Sequence, residues 1–424
     1  MAKRPTICLI GQTLPAAAGT GSDLRLRHII RTLSCFSDLH LIMVSEIPPD
    51  PEDIRNVQSA GVIDVHHIGG PFAVEQDYAV AMHMQPGPER LELLRRLSAA
   101  EHMMGGNHVL AARILEIMAE VKPDAVHFSR VNLMQCNGYI RTALFDEGGA
   151  RVFSVLDMDD DETISWDRIA EVQERYRLDA LAMESRIRGK KVRAVFESSI
   201  ENFSAVTVCS NADAERLSKR YKSAKFDVIA NVYPDIPLSS DRLFTNRGPL
   251  NMIFVGHLSY VPNIDAIEIL TRVVAPGIQQ RTGRDVRLTI AGRRGEARDI
   301  ERWRRRGATV HESPPDLDGL YASAHVAVTP IRAGGGTRIK ILEAFAHGVP
   351  VVSTPIGIEG LDAMDGQHAL IRDSLAGLVD GAVQLADDPE LCRKLAAAAR
   401  RLVAESYGLS RLRQDLRRVY APVL

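Results

Sequence analysis

The residues whose types and spacing suit chemistry gather in Ile331-Arg-Ala-Gly334-Gly335-Gly336-Thr337-Arg338-Ile-Lys340-Ile-Leu-Glu343-Ala-Phe-Ala-His347-Gly348. Three consecutive glycines let a backbone approach a ligand closely, and the unpaired N–H groups of a helix starting behind them form an anion site. The pattern predicts a helix over 338–347, closed by Gly348. Thr337, Lys340, Glu343 and His347 fall three, three and four apart and so form one line along it. Ile339, Ile341, Leu342, Phe345 and Ala346 supply the apolar flank of a helix packed on a sheet. Such a polar line is also what an ordinary solvated face presents. The glycines upstream, and a cation and a carboxylate on the same line, favour a phosphate-and-sugar site.

The elements that must position this stretch alternate short apolar runs with longer helical patterns, which predicts parallel α/β structure. Strands are expected at 6–10, 39–44, 62–68, 125–128, 152–156, 205–209 and 227–229, with helices at about 23–36, 89–98, 107–120, 132–144, 166–202 and 211–219. A polar, proline-bearing linker follows Asn231, and a fresh series begins with strands at 252–255, 287–291, 309–311, 327–330, 350–353 and 369–371. The expected organisation is an N-terminal Rossmann-like domain over 1–235, a second over 236–405 and a last helix within 406–424. A long irregular connection is expected over 69–88. Open parallel sheets bind ligands beyond the carboxyl ends of their strands, where strand order reverses, so further motifs are judged by whether they stand at strand ends.

Arg293, in Ala291-Gly292-Arg293-Arg294, ends a strand where a guanidinium can bridge phosphate oxygens, although the arginines that follow also suit a solvated basic turn. Gly256 and His257 lie in the first strand-to-helix turn of the second series, which runs to Asn263 before a helix expected over 264–280. His257 also fits a satisfied turn histidine. Gly19 and Gly21 lie in a glycine-bearing loop after the first strand that is not GxGxxG. His127 ends the strand Ala125-Val-His127, where an isolated histidine is commonly structural. Asp157-Met-Asp159-Asp160-Asp161-Glu162 admits a metal reading, but such acids equally cap the helix that follows, and an acceptor-binding role for Asp157 is favoured over metal. Arg186, Arg188, Lys190, Lys191 and Arg193 make either a solvated face or a docking surface for anionic lipid.

GGGTRIKILEAFAHGVPVVSTPIGIEGL resembles the donor-site signature of retaining, family-4 glycosyltransferases (glycosyl transferases group 1) of the two-Rossmann GT-B architecture. The resemblance implies an α/β fold of two domains facing a cleft, with the C-terminal helix crossing back to the first. It implies a hexosyl-type, metal-independent transferase that moves a sugar from a UDP- or GDP-linked donor to a hydroxyl acceptor with retention. The acceptor would be a glycan, a lipid-linked sugar or a small molecule, and the setting glycan, polysaccharide or glycolipid biosynthesis. Lys340 and Arg293 would meet the donor phosphates, Glu343 the ribose, and His127 the donor sugar and attacking hydroxyl. Gly19, Gly21, Gly256, His257, Gly334, Gly335, Gly336, Thr337, Arg338 and Glu359 would line the donor pocket. The family pattern carries a further Glu where this chain has Gly335, and basic residues about where His257 and Asn263 stand. The Gly-Gly-Thr-Arg form marks a branch of the family. The shared architecture keeps open a nucleotide-sugar epimerase, the changes at Gly335, His257 and Asn263 a catalytically silent donor-binding subunit, and the acidic run a metal-dependent transferase.

Composition sets the outer limits. The 424 residues exceed one ordinary core, and 45% hydrophobic with 25% charged residues is that of a globular protein. A net charge of −2 gives no global case for nucleic-acid binding. Five scattered cysteines lack zinc or disulfide spacing and suit reduced thiols in a cytoplasmic protein, peripheral at most to the inner membrane face, with no spanning segment.

Overall fold

A computed structural model describes residues 4–15, 21–69, 84–97, 108–144, 149, 151–234, 236 and 247–424. The chain forms two compact units, Met1–Ala230 with Leu412–Leu424, and Asn231–Arg411. Gly19, most of the expected loop 69–88 and most of the linker lie outside the described residues.

Among the described residues the first unit holds seven strands: β1 (Thr6–Gly11), β2 (Asp38–Val44), β3 (Val62–Ile68), β4 (Ala125–Ser129), β5 (Phe153–Asp157), β6 (Ala205–Val208) and β7 (Phe226–Val228). They pair in the order β3-β2-β1-β4-β5-β6-β7, all in parallel. Strand order reverses between β1 and β4, so the crevice of this sheet opens beyond Gly11 and Ser129. Central strands are buried on both faces, which is why Ile7-Cys8-Leu9-Ile10 reads as an unbroken apolar run.

The expected helix over 166–202 is in fact a hairpin of Glu162–Arg175 and Asp179–Ser199. The chain reverses at Arg177, whose φ of 56° lies in the left-handed region. Cross-links hold the two helices together: Ser185 donates to Gln173 at 2.8 Å, and Arg186 and Arg193 pair with Glu174 and Asp167, both at 2.7 Å. Lys191 donates to the Leu94 carbonyl, and Arg188 lies 4.9 Å from the Trp166 ring centroid. The basic cluster therefore serves this hairpin and its neighbours, and Lys190 is its exposed member.

The C-terminal helix Leu409–Val419 returns to the first unit from Leu412 onward and delivers Tyr420, which is wholly buried. Its hydroxyl hydrogen-bonds with His127 Nδ1 at 2.8 Å, and its ring packs on Phe36 and Phe153. Burial pushes the His127 imidazole down to about 4, with Arg25 adding to the effect, and burial likewise takes His28 to about 4. The unfolded chain binds protons at an ordinary histidine pKa near 6.5, so stability is full above that pH and is lost as pH falls toward 4. Each imidazole steepens the loss by about 1.4 kcal/mol per pH unit. His28→Phe should flatten the acid limb in unfolding measured between pH 7 and pH 4, while leaving stability near pH 8 far less changed.

The second unit repeats the plan with β8 (Leu250–Val255), β9 (Val286–Gly292), β10 (Thr309–Glu312), β11 (Val326–Thr329), β12 (Val351–Ser353) and β13 (Leu370–Ile371). Their order is β10-β9-β8-β11-β12-β13, again parallel, with the reversal between β8 and β11. Phe254, Trp303, Val328, Leu378 and their neighbours fill one core. At its edge Glu268 accepts from Trp303, Arg302 and Arg306. No helix among the described residues is long and apolar enough to cross a membrane.

Candidate functional site

The carboxyl ends of β8 and β11 bring the tri-glycine loop and Gly256 to the reversal of strand order in the second sheet. The helix behind the loop is Ile339–Ala346, with Arg338 at its N-cap, so Thr337 precedes the helix and does not share the line expected for it. Gly334 and Gly336 have φ of 101° and 66°, which glycine alone adopts without strain. The N–H groups of Gly335 and Gly336 donate to no acceptor among the described residues, and the helix start carries no side-chain cap. That is the arrangement of an anion-binding concavity.

Several ties fix this loop. Arg332 grips Asp265 with both arms, at 2.9 and 2.5 Å. Asn231 donates to the Thr337 hydroxyl at 2.7 Å, and Thr354 donates to the Ile331 carbonyl. Arg338 turns back on the loop and donates to the carbonyls of Ala333, Gly335 and Gly336. Instead of standing free for phosphate, its guanidinium neutralises the carbonyl side of the loop.

Lys340, in the first turn of that helix, reaches the end of β8. Its ammonium donates to Asn263 Oδ1 at 2.5 Å and lies 4.3 Å from the Phe254 ring centroid. A Cβ on Gly256 would fall 2.8 Å from Lys340 Nζ, so the glycine makes room for the amine. Burial, and then the charge of Arg338, pull the Lys340 pKa down to about 7. Asn263 also donates to the His257 carbonyl at 2.9 Å, and His257 Nδ1 contacts Ser259 Oγ. The asparagine therefore orients the lysine that a second cation at its position would repel.

One turn further, the partly buried Glu343 accepts from Tyr233 at 2.9 Å and from Tyr321 at 3.0 Å. Burial raises its carboxyl pKa, and the two phenols act against the rise. His347 hydrogen-bonds with the Glu343 carbonyl at 2.8 Å and with Asp318 at 3.1 Å. Arg293 stands at the end of β9, partly exposed, with its carbonyl accepting from Leu258 and no side-chain partner among the described residues. Glu359 ends the short helix Pro355–Ile358 and is partly buried. Thus Gly256, His257, Arg293, Gly334, Gly335, Gly336, Thr337, Arg338, Lys340, Glu343 and Glu359 all belong to the second unit. The sequence reading did not pick out Tyr233, Tyr321, Asp265 or Arg332.

The first unit carries the remaining candidates. Gly21 opens the helix Gly21–Ser34. His127 is fully buried, and its Nε2 has no hydrogen-bond partner among the described residues. Asp157, expected to meet an acceptor, is buried instead. Arg25 holds both its oxygens, at 3.0 and 2.5 Å, and Thr207 donates to one of them at 2.6 Å. Burial would raise the Asp157 pKa, but Arg25 keeps it below the ordinary value. The other acids of the run diverge: Asp159 accepts from Ser22 at 2.5 Å, Asp161 caps the helix at Thr163 N and pairs with Arg216, and Glu162 pairs with Arg130. Among the described residues no three acids, histidines or cysteines are grouped to hold a metal.

Each unit is built on a doubly wound parallel sheet, and the tri-glycine loop stands at the reversal point of the second. Residues 249–388 match the family model described as glycosyl transferases group 1. A D-inositol 3-phosphate glycosyltransferase of Arthrobacter sp. (strain FB24) is 28% identical over 221 residues, 47% of this chain and 51% of that protein. A 44.6 kDa protein of the cps region of Klebsiella pneumoniae is 28% identical over 131 residues, 29% of this chain and 34% of its own length. The chain thus spans about half or less of the length of these curated relatives. Sucrose-phosphate synthase from Thermosynechococcus elongatus superimposes with a TM-score of 0.68 at 16% identity, covering 99% of both chains. Anabaena HepE, solved with UDP and glucose, gives 0.62 at 13% identity over 99% of this chain and 100% of its own. The fold is the GT-B fold.

Proposed function

We propose that the protein is a glycosyltransferase that moves a sugar from a nucleoside diphosphate donor to a hydroxyl acceptor, with retention and without a metal. The observation that carries this reading is the Lys340 ammonium set over Gly256 beside the uncapped helix start and the tri-glycine amides. As the glycosidic bond breaks, negative charge grows on the diphosphate. Lys340, Arg293 and the amides of 335–337 then stabilise it. The acceptor attacks from the side the diphosphate leaves, and the diphosphate takes its proton. Glu343 anchors the ribose, and Gly256 lets the donor lie against the backbone. In the first unit His127 is the candidate residue of this reading, and Asp157 keeps Arg25 in place. UDP- and GDP-sugars are the donor candidates, since relatives of this fold include a protein solved with UDP and glucose. The setting proposed is glycan or glycolipid synthesis in the cytoplasm.

The test is release of free nucleoside diphosphate from a panel of UDP- and GDP-sugars, with and without hydroxyl acceptors, in chelator. Release that depends on acceptor and survives chelation is expected. Conversion of the donor alone would make the protein an epimerase. Binding without turnover across the panel would make it a silent donor-binding subunit.

A further inference from the structure

Glu343 stands at the centre of a hydrogen-bonded cluster that the proposed chemistry does not need as such. Each of its carboxylate oxygens receives one phenol, Tyr233 on Oε1 at 2.9 Å and Tyr321 on Oε2 at 3.0 Å. Held at both oxygens, the carboxylate plane cannot swing about its terminal bond. The phenols are fixed in turn. Tyr321 is 1% exposed and stacks on His347 with ring centroids 4.4 Å apart. His347 is pinned between the Glu343 carbonyl and Asp318. Tyr233 leans on the same imidazole, and its backbone N–H donates to the Tyr407 carbonyl at 2.9 Å.

A carboxylate offers about four acceptor sites, so each oxygen keeps one after its phenol is counted. Two such sites on adjacent, coplanar oxygens match two neighbouring hydroxyls of a cis-diol. We infer that Tyr233 and Tyr321 are positioning residues that hold Glu343 for a vicinal diol and make the site select ribonucleotides over 2′-deoxyribonucleotides. This rests on the reading that Glu343 receives the ribose of the donor. A site built to bond a hydroxyl rejects the analogue lacking it, because its own polar group is left unpaired. That penalty is largest when the carboxylate cannot rotate to find another partner.

The experiment is calorimetric titration of the full chain with UDP, GDP, their 2′-deoxy forms and inorganic pyrophosphate. Wild type is compared with Tyr233→Phe, Tyr321→Phe and Glu343→Gln, after melting curves establish that each variant is folded. Wild type should prefer a ribonucleotide over its deoxy form by about tenfold or more. Each phenylalanine variant should weaken ribonucleotide binding about 3- to 10-fold, leave the deoxy form and pyrophosphate nearly unchanged, and so erode the preference. Equal weakening of all ligands, or none, overturns the inference, since a merely structural tyrosine would not distinguish the sugars. If Glu343→Gln abolishes the preference and both tyrosine variants keep it, the ribose reading stands and the positioning role falls. If Glu343→Gln keeps the preference while the diphosphates still bind, the ribose reading itself is wrong, and the inference falls with it.

Discussion

Lys340→Ala should weaken nucleoside diphosphate binding by about 10- to 100-fold, the range for losing a charged hydrogen bond. The apo fold should survive, because the side chain touches one asparagine oxygen and one ring face and anchors no core packing of its own. The pH dependence is more diagnostic than the size of the loss. In the free protein Lys340 is held down at about 7 by burial and Arg338. At pH 8 to 9 most molecules therefore carry the neutral amine, and a diphosphate has to recruit the protonated form. Affinity should fall with rising pH by up to about tenfold per unit above pH 7, and binding should take up a proton. Without ligand the sign is opposite. The unfolded lysine binds its proton to higher pH than the folded one, so this group favours the folded state more as pH rises from 7 toward the ordinary lysine value. Calorimetry at pH 7, 8 and 9 in buffers of different ionisation enthalpy checks both statements. Lys340→Ala should abolish both the slope and the proton uptake.

Gly292→Ala should damage the fold, whereas Gly256→Ala should damage the site. A Cβ on Gly292 would lie 1.8 Å from the Gly256 carbonyl oxygen. That neighbour is backbone at the end of β8, so relief requires the strand ends to part. The cost is on the order of 3 kcal/mol, at the upper end for overpacking. On Gly256 the added carbon would instead meet Asn263 Nδ2 at 2.7 Å and Lys340 Nζ at 2.8 Å, the ends of side chains that can move. Gly256→Ala should therefore cost little stability, displace the ammonium and weaken diphosphate binding. Denaturant melts of both variants, paired with nucleotide titration, separate the outcomes. A stable Gly292→Ala protein would contradict the close packing described for β8 and β9.

The strands were legible because buried parallel strands are short apolar runs between helical patterns, and their ends mostly fell within a residue or two of those expected. The reversal at Arg177 was not legible. The segment carries no glycine, proline or asparagine there, and what offsets the left-handed turn is the pairing of one helix with the next. The helix Pro51–Ser59 lies outside the expected elements, although Asp50 caps it through Glu52 N and Pro51 opens it. Within the site, residue types and spacing pointed to Lys340, Glu343 and the glycines, all within one stretch. Their partners come from far along the chain. Tyr233 lies 110 residues from Glu343, beside a segment that reads as linker, and Asn263 lies 77 residues from Lys340. Asp157 misled for the same reason, since Arg25, which occupies it, is 132 residues away. Arg338 misled locally. Its spacing suits a phosphate contact, and only the backbone path shows that the loop carbonyls take the guanidinium.

The tri-glycine loop and Lys340 should receive a diphosphate, which a crystal structure with UDP or GDP bound would decide. Phosphate oxygens should lie within hydrogen-bond distance of Lys340 Nζ and of the amides of residues 335–337, with a ribose hydroxyl on Glu343. A nucleotide lodged elsewhere, with water on that loop and that amine, would contradict it.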